Sequence, residues 1–577
     1  MIMKYWKFGS YEIAAGALIL VAVLLRLLLI SQNWPVLDSD EGTMGIMALH
    51  IAYHGEHPIF FYGQSYMGVI QAYIAAFLFH LIGPSLFSLR LALVLLGLLF
   101  FVVFYLLSRT LYTKSFALVA LALLALGSHY VLEYQLHVYG GYPETLLFGS
   151  LTFLLASWLA LTSPARFSHL SLRKLGWRLL GYTGWGLAAG LGIWSDLLIA
   201  PFVLFSALLI ALFCWRELLL ILPVMAMLLA TVAGVYPMIY YNQHFAAPDD
   251  SSLNMLQRLR NGSSSKSLHY DRKLVTAELK GTIQVSIPMM TGEPFCPVSE
   301  EFALHEPNSP HTRLCTLVHS TWGFGYLLLC SLAVIVVLLA NWRVLLARWR
   351  AYKAGSPGLD ERREGARQCA RLLLLISALL SLGLYTFSIA PLDWPGVHAR
   401  YLTGLLIATP VVLYPLWLAT TTVGARARAT LLSRSRQVVG AALLAAIGIV
   451  FLSGTIMTLS ELPAARADMQ QEQALISYLL RIHATHIYTQ YWACDKTAFV
   501  SQEKITCAIV DASLHPTHNR VPHYYDVVSA DPRAIYVYPI NQLPVTSEWS
   551  AIQQKVTQPG THYRRVVVAG YIIYIPE

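Results

Sequence analysis

The first residues that could do chemistry form an acidic run, Asp38-Ser39-Asp40-Glu41, directly after the first apolar segment. A helical pattern over residues 42–55 begins at its end, and Ser39 or Asp40 is placed to cap that helix. Because a helix N-terminus carries partial positive charge, this position would keep the Asp40 carboxylate ionised and fixed in direction. Such an aspartate can take a proton from an acceptor hydroxyl as a general base. A solvated acidic loop is the alternative.

Three carboxylates within four residues repel one another, so a cation is expected close to them. The candidates are Arg26 in the first apolar segment, Arg400 in a late polar segment, and a bound metal ion. A charge in hydrocarbon costs roughly 3 kcal/mol or more. Arg26 should therefore either pair with an acid or extend to the membrane surface. Asp38 and Arg26 join the candidate substrate-binding residues on this ground.

Two further polar groups stand at the starts of later apolar segments. Tyr142 and Glu144 follow a Gly-Gly pair, which allows a ligand to approach the backbone closely. His398, Arg400 and Tyr401 are consecutive except for one alanine, and a guanidinium there can bind a phosphate through two parallel hydrogen bonds. The neighbouring aromatic rings can stack on a sugar or a lipid. A plain turn and an interfacial Arg-Tyr anchor are the respective alternatives.

A metal site is a fourth possibility. His50 and His54 are four residues apart on one face of the helical pattern. This spacing suits zinc or manganese if Asp38 or Asp40 completes the ligand set. Isolated interfacial histidines are the alternative.

The composition indicates where these residues must be held. Of the 577 residues, 56% are hydrophobic and 12% are charged, against about 25% charged in soluble domains. The fold class is therefore a polytopic α-helical membrane protein. About eleven segments approach the roughly 20 apolar residues that cross a bilayer: 12–31, 86–108, 115–131, 144–162, 179–194, 197–215, 218–241, 321–341, 371–390, 402–422 and 438–459.

The Lys and Arg residues of the short loops predict the orientation. With the N-terminus in the cytoplasm, every strongly basic short loop lies inside, as the positive-inside rule requires. The net charge of +9 is then explained by topology and anionic lipid rather than by nucleic-acid binding. If residues 64–82 crossed the membrane, every loop after them would change sides and the basic loops would lie outside. They are therefore expected to form an interfacial or re-entrant helix on the outer face.

The predicted domains follow from this topology. Residues 1–460 form the transmembrane domain, with outer loops at 31–85 and 242–320, and residues 461–577 form an extracytoplasmic α/β domain. That domain should contain a helix near 466–483. Strands are expected at 486–492, 505–510 and 534–540, followed by a closing hairpin. Two cysteine pairs on this oxidising side suggest disulfides, Cys296 with Cys315 and Cys494 with Cys507.

Three runs of this sequence resemble the GT-C glycosyltransferases, in particular the bacterial branch related to protein O-mannosyltransferases and the aminoarabinose transferase of lipid A. They are LLRLLLISQNWPVLDSDEGTMGIMALHI (24–51), SLFSLRLALVLLGLLF (85–100) and HARYLTGLL (398–406). The resemblance covers about a fifth of the chain. Where relatives often have a Lys-Pro-Pro run before the second surface helix, this chain has Gly63-Gln64-Ser65-Tyr66, which leaves one phosphate contact unassigned.

The resemblance implies an inverting transferase in the cell (plasma or inner) membrane that uses a polyprenyl-phosphate sugar donor. Asp40 would be the catalytic base with Glu41 beside it, and Arg400 would bind the donor phosphate. The acceptor would be a glycan, a lipid or a protein, and nucleic acid is not an expected partner. If a metal cofactor is needed, it would be Mn²⁺ or Zn²⁺. The alternatives are a transporter or flippase of lipid-linked sugar and a non-catalytic receptor or assembly protein of the cell envelope.

The loop charges generate a labelling prediction. A cysteine introduced at Ser356 should react with a membrane-impermeant maleimide only from the cytoplasm, and one at Ser264 only from outside, because the basic loops remain inside. The measurement is labelling of intact cells against inverted vesicles, in a variant without other reactive cysteines. The opposite pattern would contradict the predicted orientation.

Overall fold

The computed structural model describes residues 9–164, 172–244, 272–292, 310–353, 359–421, 431–511, 513–540, 550–557 and 562–577. The helices are Ser10–Ser31, Ser39–Leu49, Ile70–Ile82, Leu86–Leu111, Lys114–Leu126, His129–Leu136, Tyr142–Thr162, Leu172–Ser195, Ala200–Leu218, Ile221–His244, Arg272–Gly281, Ile287–Thr291, Pro310–Lys353, Leu359–Thr386, Ala390–Asp393, Pro395–His398, Thr409–Thr420, Leu431–Ser460, Leu462–Arg481, Tyr491–Val500, Pro522–Ser529 and Ser550–Val556. Short π or 3-10 turns extend some of them, at His50–His54, Leu197–Ile199, Thr282–Ser286 and Ala399–Ala408.

The polytopic helical membrane fold is confirmed. Within the described residues, nine helical segments are long and apolar enough to cross a membrane: Ser10–Ser31, Leu86–Leu111, Tyr142–Thr162, Leu197–Leu218, Ile221–His244, Arg313–Ala347, Asp360–Thr386, Pro395–Thr420 and Arg434–Arg481. The pair Lys114–Leu126 and His129–Leu136, bent by 74°, would be a tenth. The break falls at Gly127, whose φ of +71° a helix cannot continue.

Two predicted segments differ from simple spans. The segment expected at 179–194 lies in the helix Leu172–Ser195, which is not among the nine; its first turns carry Arg173, Lys174 and Arg178. The segment predicted as interfacial or re-entrant forms the apolar helix Ile70–Ile82 of 13 residues. At 1.5 Å per residue this helix is about 20 Å long, too short for a hydrocarbon core of about 30 Å. It therefore does not cross the membrane alone.

The chain divides into two compact units. The first comprises Met1–Leu24, Leu96–Gln135 and Tyr142–Thr458. Its basic helix ends are paired with acids or aromatic rings. The Lys114 ammonium lies 2.6 Å from the Glu12 carboxylate, Arg178 Nη2 donates to Glu217 Oε1 at 2.7 Å, and the Arg371 guanidinium lies over the Tyr112 ring. These pairs remove the cost of isolated charges at the ends of apolar helices.

The second unit comprises Leu25–Leu95, Leu136–Gly141 and Leu459–Glu577. It thus combines the predicted outer loop 31–85 with the C-terminal segment. Within the described residues, its strands are β1 His486–Thr489, β2 Thr506–Ile509, β3 Ile535–Pro539, β4 Tyr563–Val568 and β5 Tyr571–Pro576. They form one mixed sheet with the order β2-β1-β3-β5-β4. β1 is parallel to β2 and β3, and β5 is antiparallel to β3 and β4.

The predicted α/β character of the C-terminal segment is confirmed, with one correction. The first strand was expected to run over 486–492, but β1 ends at Thr489 and the helix Tyr491–Val500 begins two residues later. Its buried face includes Ala493, Cys494 and Phe499.

One predicted disulfide is present. Cys494 in this helix is bonded to Cys507 in β2, with their α-carbons 5.5 Å apart, inside the range of about 4.4–6.8 Å that disulfides require. The bond joins the helix to the sheet. Of the other predicted pair, Cys296 lies outside the described residues.

Two helices of this unit are in close contact. In Ser39–Leu49, a Cβ added at Gly42 would overlap the backbone of Asp495 and Lys496, and one added at Gly45 would overlap the Phe499 ring. Glycine therefore allows this helix to approach Tyr491–Val500 at backbone distance.

This contact predicts the effect of Gly42→Ala. The methyl group must separate the two helices, so the variant should be less stable by about 1–3 kcal/mol, although alanine normally favours a helix by about 1 kcal/mol. The control is Gly16→Ala, because nothing lies within 4 Å of a Cβ added at that helical position. Thermal unfolding in detergent should show a lower midpoint for Gly42→Ala alone. Equal midpoints for the two variants would contradict the close contact.

Candidate active site

The acidic run begins the helix Ser39–Leu49, and its cap differs from the prediction. Asp38, not Ser39 or Asp40, is the N-cap residue, and its carboxylate accepts a hydrogen bond from the Glu41 backbone N–H at 2.8 Å. The helix starts one to two residues earlier than the sequence pattern suggested. Asp40 consequently occupies the first turn, and its side chain is available for contacts outside the helix.

Asp40 is held by two side chains of the C-terminal segment. The Tyr491 hydroxyl donates to Asp40 Oδ1, and Arg520 Nη2 lies 3.2 Å from the same oxygen. Arg520 Nε also donates to the Tyr491 hydroxyl at 3.0 Å. The Arg520 guanidinium is itself positioned over the Phe61 ring, 5.0 Å from its centroid. The Asp40 side chain remains 24% exposed, so an approaching hydroxyl group can reach it.

Burial and the contacts with Asp40 shift the pKa values of Tyr491 and Arg520. Burial, together with the nearby Asp40 carboxylate, raises the pKa of Tyr491 far above its ordinary value. The pKa of Arg520 is raised because the effects of Tyr491 and Asp40 outweigh the effect of burial. Tyr491 therefore stays protonated and Arg520 stays charged at neutral pH, and both act as donors to Asp40.

Glu41 has a different environment. Its carboxylate is fully buried and forms a bidentate ion pair with Arg90, with Nε 2.8 Å from Oε1. The backbone N–H of Val138 donates to Glu41 Oε1 at 3.3 Å, and His137 Nε2 lies 3.4 Å from both Glu41 Oε2 and Asp38 Oδ2. A carboxylate enclosed in this way fixes the helix rather than meeting a solvent-borne ligand.

Among the described residues, Arg90 contacts the Glu41 carboxylate and Arg520 contacts the Asp40 carboxylate. The sequence predicts Arg26, Arg400 or a metal ion for this role. Arg26 is buried, with 1% of its surface exposed, rather than extended to the surface. Arg90 lies in the run 85–100, one of the three runs that resemble the GT-C glycosyltransferases, so the sequence did single out its surroundings. Arg520 and Tyr491 had no local signal, because nothing in the sequence places them beside Asp40.

A buried aspartate completes the contact between the two helices. Thr43 Oγ1 donates to Asp495 Oδ2 at 2.6 Å, and the Asp495 backbone N–H donates to Ser39 Oγ at 3.1 Å. Burial raises the pKa of Asp495 to about 6, while the hydrogen bond from Thr43 opposes the increase.

The predicted metal ligands His50 and His54 lie at the other end of the same helix. Their nitrogen atoms and a carboxylate oxygen of Glu503 all lie within 4.8 Å of one another. The third residue of the group is therefore Glu503 and not the expected Asp38 or Asp40.

The remaining predicted binding residues belong to the first unit, where four of them come together. The Arg400 guanidinium lies 5.7 Å from the Tyr142 ring centroid and 5.8 Å from that of Tyr401. The His398 and Tyr401 rings are stacked at 5.1 Å. Glu144, in the first turn of the helix that Tyr142 begins, is fully buried.

A further acid accompanies this group. Asp196 caps the short turn Leu197–Ile199 by accepting from the Leu198 backbone N–H at 2.9 Å. Burial raises its pKa to about 6, and the Leu198 hydrogen bond and the Arg400 charge oppose the increase. The first unit therefore contains Arg400 with its neighbouring aromatic rings, and the Asp196 carboxylate is close enough to interact with the Arg400 charge.

Comparison with solved structures found several that are similar to this chain. ArnT from Cupriavidus metallidurans bound to undecaprenyl phosphate is 13% identical, with 98% of each chain covered and a TM-score of 0.52. The apo state of ArnT is 14% identical over 98% of each chain, with a TM-score of 0.51. The Archaeoglobus fulgidus oligosaccharyltransferase tethered to an acceptor peptide is 14% identical over 93% of this chain and 70% of its own, with a TM-score of 0.49. The sequence matches no protein-family model and no curated protein.

ArnT is a lipid A aminoarabinose transferase of the GT-C class. The match over nearly the full length of both chains confirms that this chain has an ArnT-like fold, as the resemblance implied.

The environment of Asp495 predicts a pH effect on stability. Because the folded-state pKa lies near 6, above the ordinary value of 3.8, the folded protein binds the proton more tightly than the unfolded chain. Its contribution to stability is therefore present at low pH and is lost as the pH rises from about 4 to about 6. Asp495→Asn cannot ionise and keeps an oxygen for the Thr43 hydroxyl. Its unfolding midpoint, relative to the native protein, should rise across this pH range.

The control for this comparison is Asp526→Asn, at an exposed position of the same segment. Its difference from the native protein should change much less between pH 4 and pH 6.5. A difference for Asp495→Asn that is constant across the range would contradict the raised pKa.

Proposed function

We propose that this protein is a membrane glycosyltransferase that moves a sugar from a lipid-phosphate carrier to an acceptor hydroxyl. The observation that carries the proposal is the geometry of Asp40, a partly exposed carboxylate held on one oxygen by Tyr491 and Arg520. The ArnT-like fold supports it, and ArnT has been solved with undecaprenyl phosphate bound. We infer a polyprenyl-phosphate carrier for this chain on the same ground.

The reaction is a direct displacement. The Tyr491 hydroxyl and the Arg520 guanidinium both hydrogen-bond to Asp40 Oδ1. Asp40 Oδ2 takes the proton of the acceptor hydroxyl. The acceptor oxygen attacks the anomeric carbon from the side opposite the phosphate, and the bond from that carbon to the phosphate oxygen breaks. The phosphate leaves on its lipid, and the configuration of the sugar is inverted. Because Tyr491 and Arg520 fix the carboxylate before reaction, little orientational freedom is lost when the acceptor binds.

Glu41 is a positioning residue in this scheme. Its ion pair with Arg90 is completely buried, and breaking a buried pair on one side costs about 3–5 kcal/mol. The pair therefore fixes the first turn of the helix that carries Asp40. Asp38 has a similar task, because its carboxylate caps the same turn.

The resemblance implies that Arg400 binds the donor phosphate, and on that ground we assign the leaving phosphate to the group around Arg400. A guanidinium can bind two phosphate oxygens in parallel, and the neighbouring Tyr142 and Tyr401 rings restrict its orientation. Positive charge at this place would stabilise the charge that develops on the leaving group. Glu144 and His398 are assigned to the same donor site.

The reaction is proposed for the extracytoplasmic face of the cell membrane. The distribution of Lys and Arg in the short loops favours an outside position for the acidic run, and the Cys494–Cys507 disulfide is typical of an oxidising compartment. The acceptor belongs to a glycan, a lipid or a protein of the cell envelope.

Transport of a lipid-linked sugar is the second candidate, and one observation favours it. The helices Lys114–Leu126 and His129–Leu136 meet at a bend of 74°, and transporters use broken helices to build their binding sites. Purified protein in vesicles that contain a fluorescent polyprenyl-phosphate sugar distinguishes the two. A transporter moves the lipid between leaflets without cleaving it, whereas a transferase releases the sugar only when an acceptor is present.

Asp40→Asn is the variant that tests the proposed mechanism. The amide keeps the shape of the side chain and an oxygen for Tyr491 and Arg520, but it cannot take a proton at neutral pH. Turnover of a labelled polyprenyl-phosphate sugar should fall by about 100- to 10,000-fold, while binding of the lipid-linked donor persists. Both quantities should be measured on the same purified preparation.

Asp38→Asn is the matched control, because asparagine caps a helix about as well as aspartate. It should lose far less activity than Asp40→Asn. Full activity in Asp40→Asn would contradict its role as the base. Equal inactivation of the two variants would instead indicate that both carboxylates hold a common ligand.

A further inference from the structure

Three donor atoms meet at the C-terminal end of the helix Ser39–Leu49. The helix continues through the π-helical turn His50–His54, a rare form that often occurs at functional sites. The His50 and His54 rings lie on one face, with centroids 5.2 Å apart. The third donor is Glu503, from the segment that follows the helix Tyr491–Val500, and its Oε1 lies 2.9 Å from His50 Nε2.

The ring of His50 is oriented by groups on its other side. His50 Nδ1 lies 2.9 Å from the Tyr62 hydroxyl, and that hydroxyl donates to Glu56 Oε2. In metal sites, a ligating histidine almost always donates its second ring N–H to an oxygen, which sets the tautomer and directs the other nitrogen at the metal. The Tyr62 hydroxyl can accept from Nδ1 here, which leaves Nε2, the ring nitrogen that lies 2.9 Å from Glu503 Oε1, to bind a metal.

Glu503 is also held in place. The Tyr524 hydroxyl donates to Glu503 Oε1 at 2.6 Å. The backbone of Gln502 and Glu503 is left-handed, with φ of 54° and 58°, a conformation that costs non-glycine residues about 1–2 kcal/mol each. The chain therefore presents this carboxylate to His50 at some energetic cost. His54, by contrast, is exposed and can adjust its rotamer.

We propose that His50, His54 and Glu503 bind one divalent transition-metal ion, with Zn²⁺ as the best fit and a water molecule as the fourth ligand. Two imidazoles and one carboxylate suit Zn²⁺ better than Mg²⁺ or Ca²⁺, which prefer oxygen ligands alone. Zinc bonds of about 2.0–2.2 Å at tetrahedral angles separate neighbouring donors by about 3.4 Å. The present distance from His50 Nε2 to Glu503 Oε1 needs to increase only slightly, and His54 needs to turn inward.

The metal ion would connect the helix Ser39–Leu49 and its π-helical turn to the C-terminal segment. His50 is ten residues after Asp40 on one helix, about 15 Å along its axis, so the metal does not contact the proton that Asp40 takes. It would instead fix the two helices at one end, while Asp40 and Tyr491 are in contact at the other. The ion is therefore a structural element of this unit, and the inference does not rest on the proposed transferase activity.

The test compares native protein with His54→Ala after any affinity tag has been cleaved. His54 is exposed and takes no part in the contact between His50 and Glu503, so the variant should fold normally. After chelation and dialysis, the native protein should bind one Zn²⁺ per chain by calorimetry and by elemental analysis, and the metal should raise its unfolding midpoint. His54→Ala should show neither effect. The control His57→Ala alters an exposed histidine three residues away and should behave like the native protein.

A second variant separates the metal site from unspecific histidine binding. Tyr62→Phe removes the oxygen that orients His50 Nδ1, and it should weaken Zn²⁺ binding by about 10- to 100-fold without changing the stoichiometry. Absence of one-to-one binding in native protein would overturn the proposal, as would equal binding by His54→Ala. Retention of Zn²⁺ binding in the Asp40→Asn variant is expected, whether or not that variant is active.

Discussion

The close contact between Ser39–Leu49 and Tyr491–Val500 is the constraint on which the described features of the second unit depend. The two helices are joined by contacts between residues 452 positions apart in the chain, such as Ser39 with Tyr491 and Thr43 with Asp495. Contacts between residues so far apart in the sequence cost conformational entropy, because a long loop must be closed. Several favourable contacts between the two helices are needed to offset that cost. Glycines at positions 42 and 45 allow the backbones to approach. Hydroxyl groups satisfy the polar atoms that the approach buries.

Buried charge gives this contact its specificity. Glu41 is neutralised by Arg90 of the helix Leu86–Leu111, whereas Asp40 is neutralised by Arg520 from the C-terminal segment. Moving the helix by one turn would separate both pairs and leave charges without compensation, which costs several kcal/mol. The same position that satisfies Glu41 thus sets the direction of Asp40. In the proposed mechanism, the C-terminal segment contributes directly to the environment of the base.

Local sequence patterns predicted much of this arrangement. The start of the helix near Asp40 and the hairpin at the C-terminus each depend on neighbouring residues, and they were predicted to within a few positions. In the part of the chain that the structure describes, nine of the eleven predicted apolar segments overlap helices that are long and apolar enough to cross a membrane. The stretch 490–492 was assigned to a strand because its aromatic residues favour strands, but packing against the Asp40 helix and the sheet selects a helix there. The break at Gly127 depends on one φ value that the apolar composition conceals.

The partners of the site residues could not be predicted in the same way. Tyr491 and Arg520 lie 451 and 480 residues from Asp40, and neither belongs to a recognisable motif. Glu503 was missed as a neighbour of His50 for the same reason, since it is 453 residues away. The spacing of His50 and His54 indicated a metal site, but only the folded chain identifies the third donor.

The stereochemistry of transfer tests the central claim most directly. A single base, Asp40, that activates the acceptor for direct displacement leads to inversion at the anomeric carbon, because the acceptor enters opposite the departing phosphate. The measurement is NMR of the product formed by purified protein from a polyprenyl-phosphate sugar labelled with ¹³C at that carbon. We expect the opposite anomeric configuration to that of the donor. Retention of configuration would require either a covalent sugar–enzyme intermediate or attack from the same side as the departing phosphate, and would contradict the account.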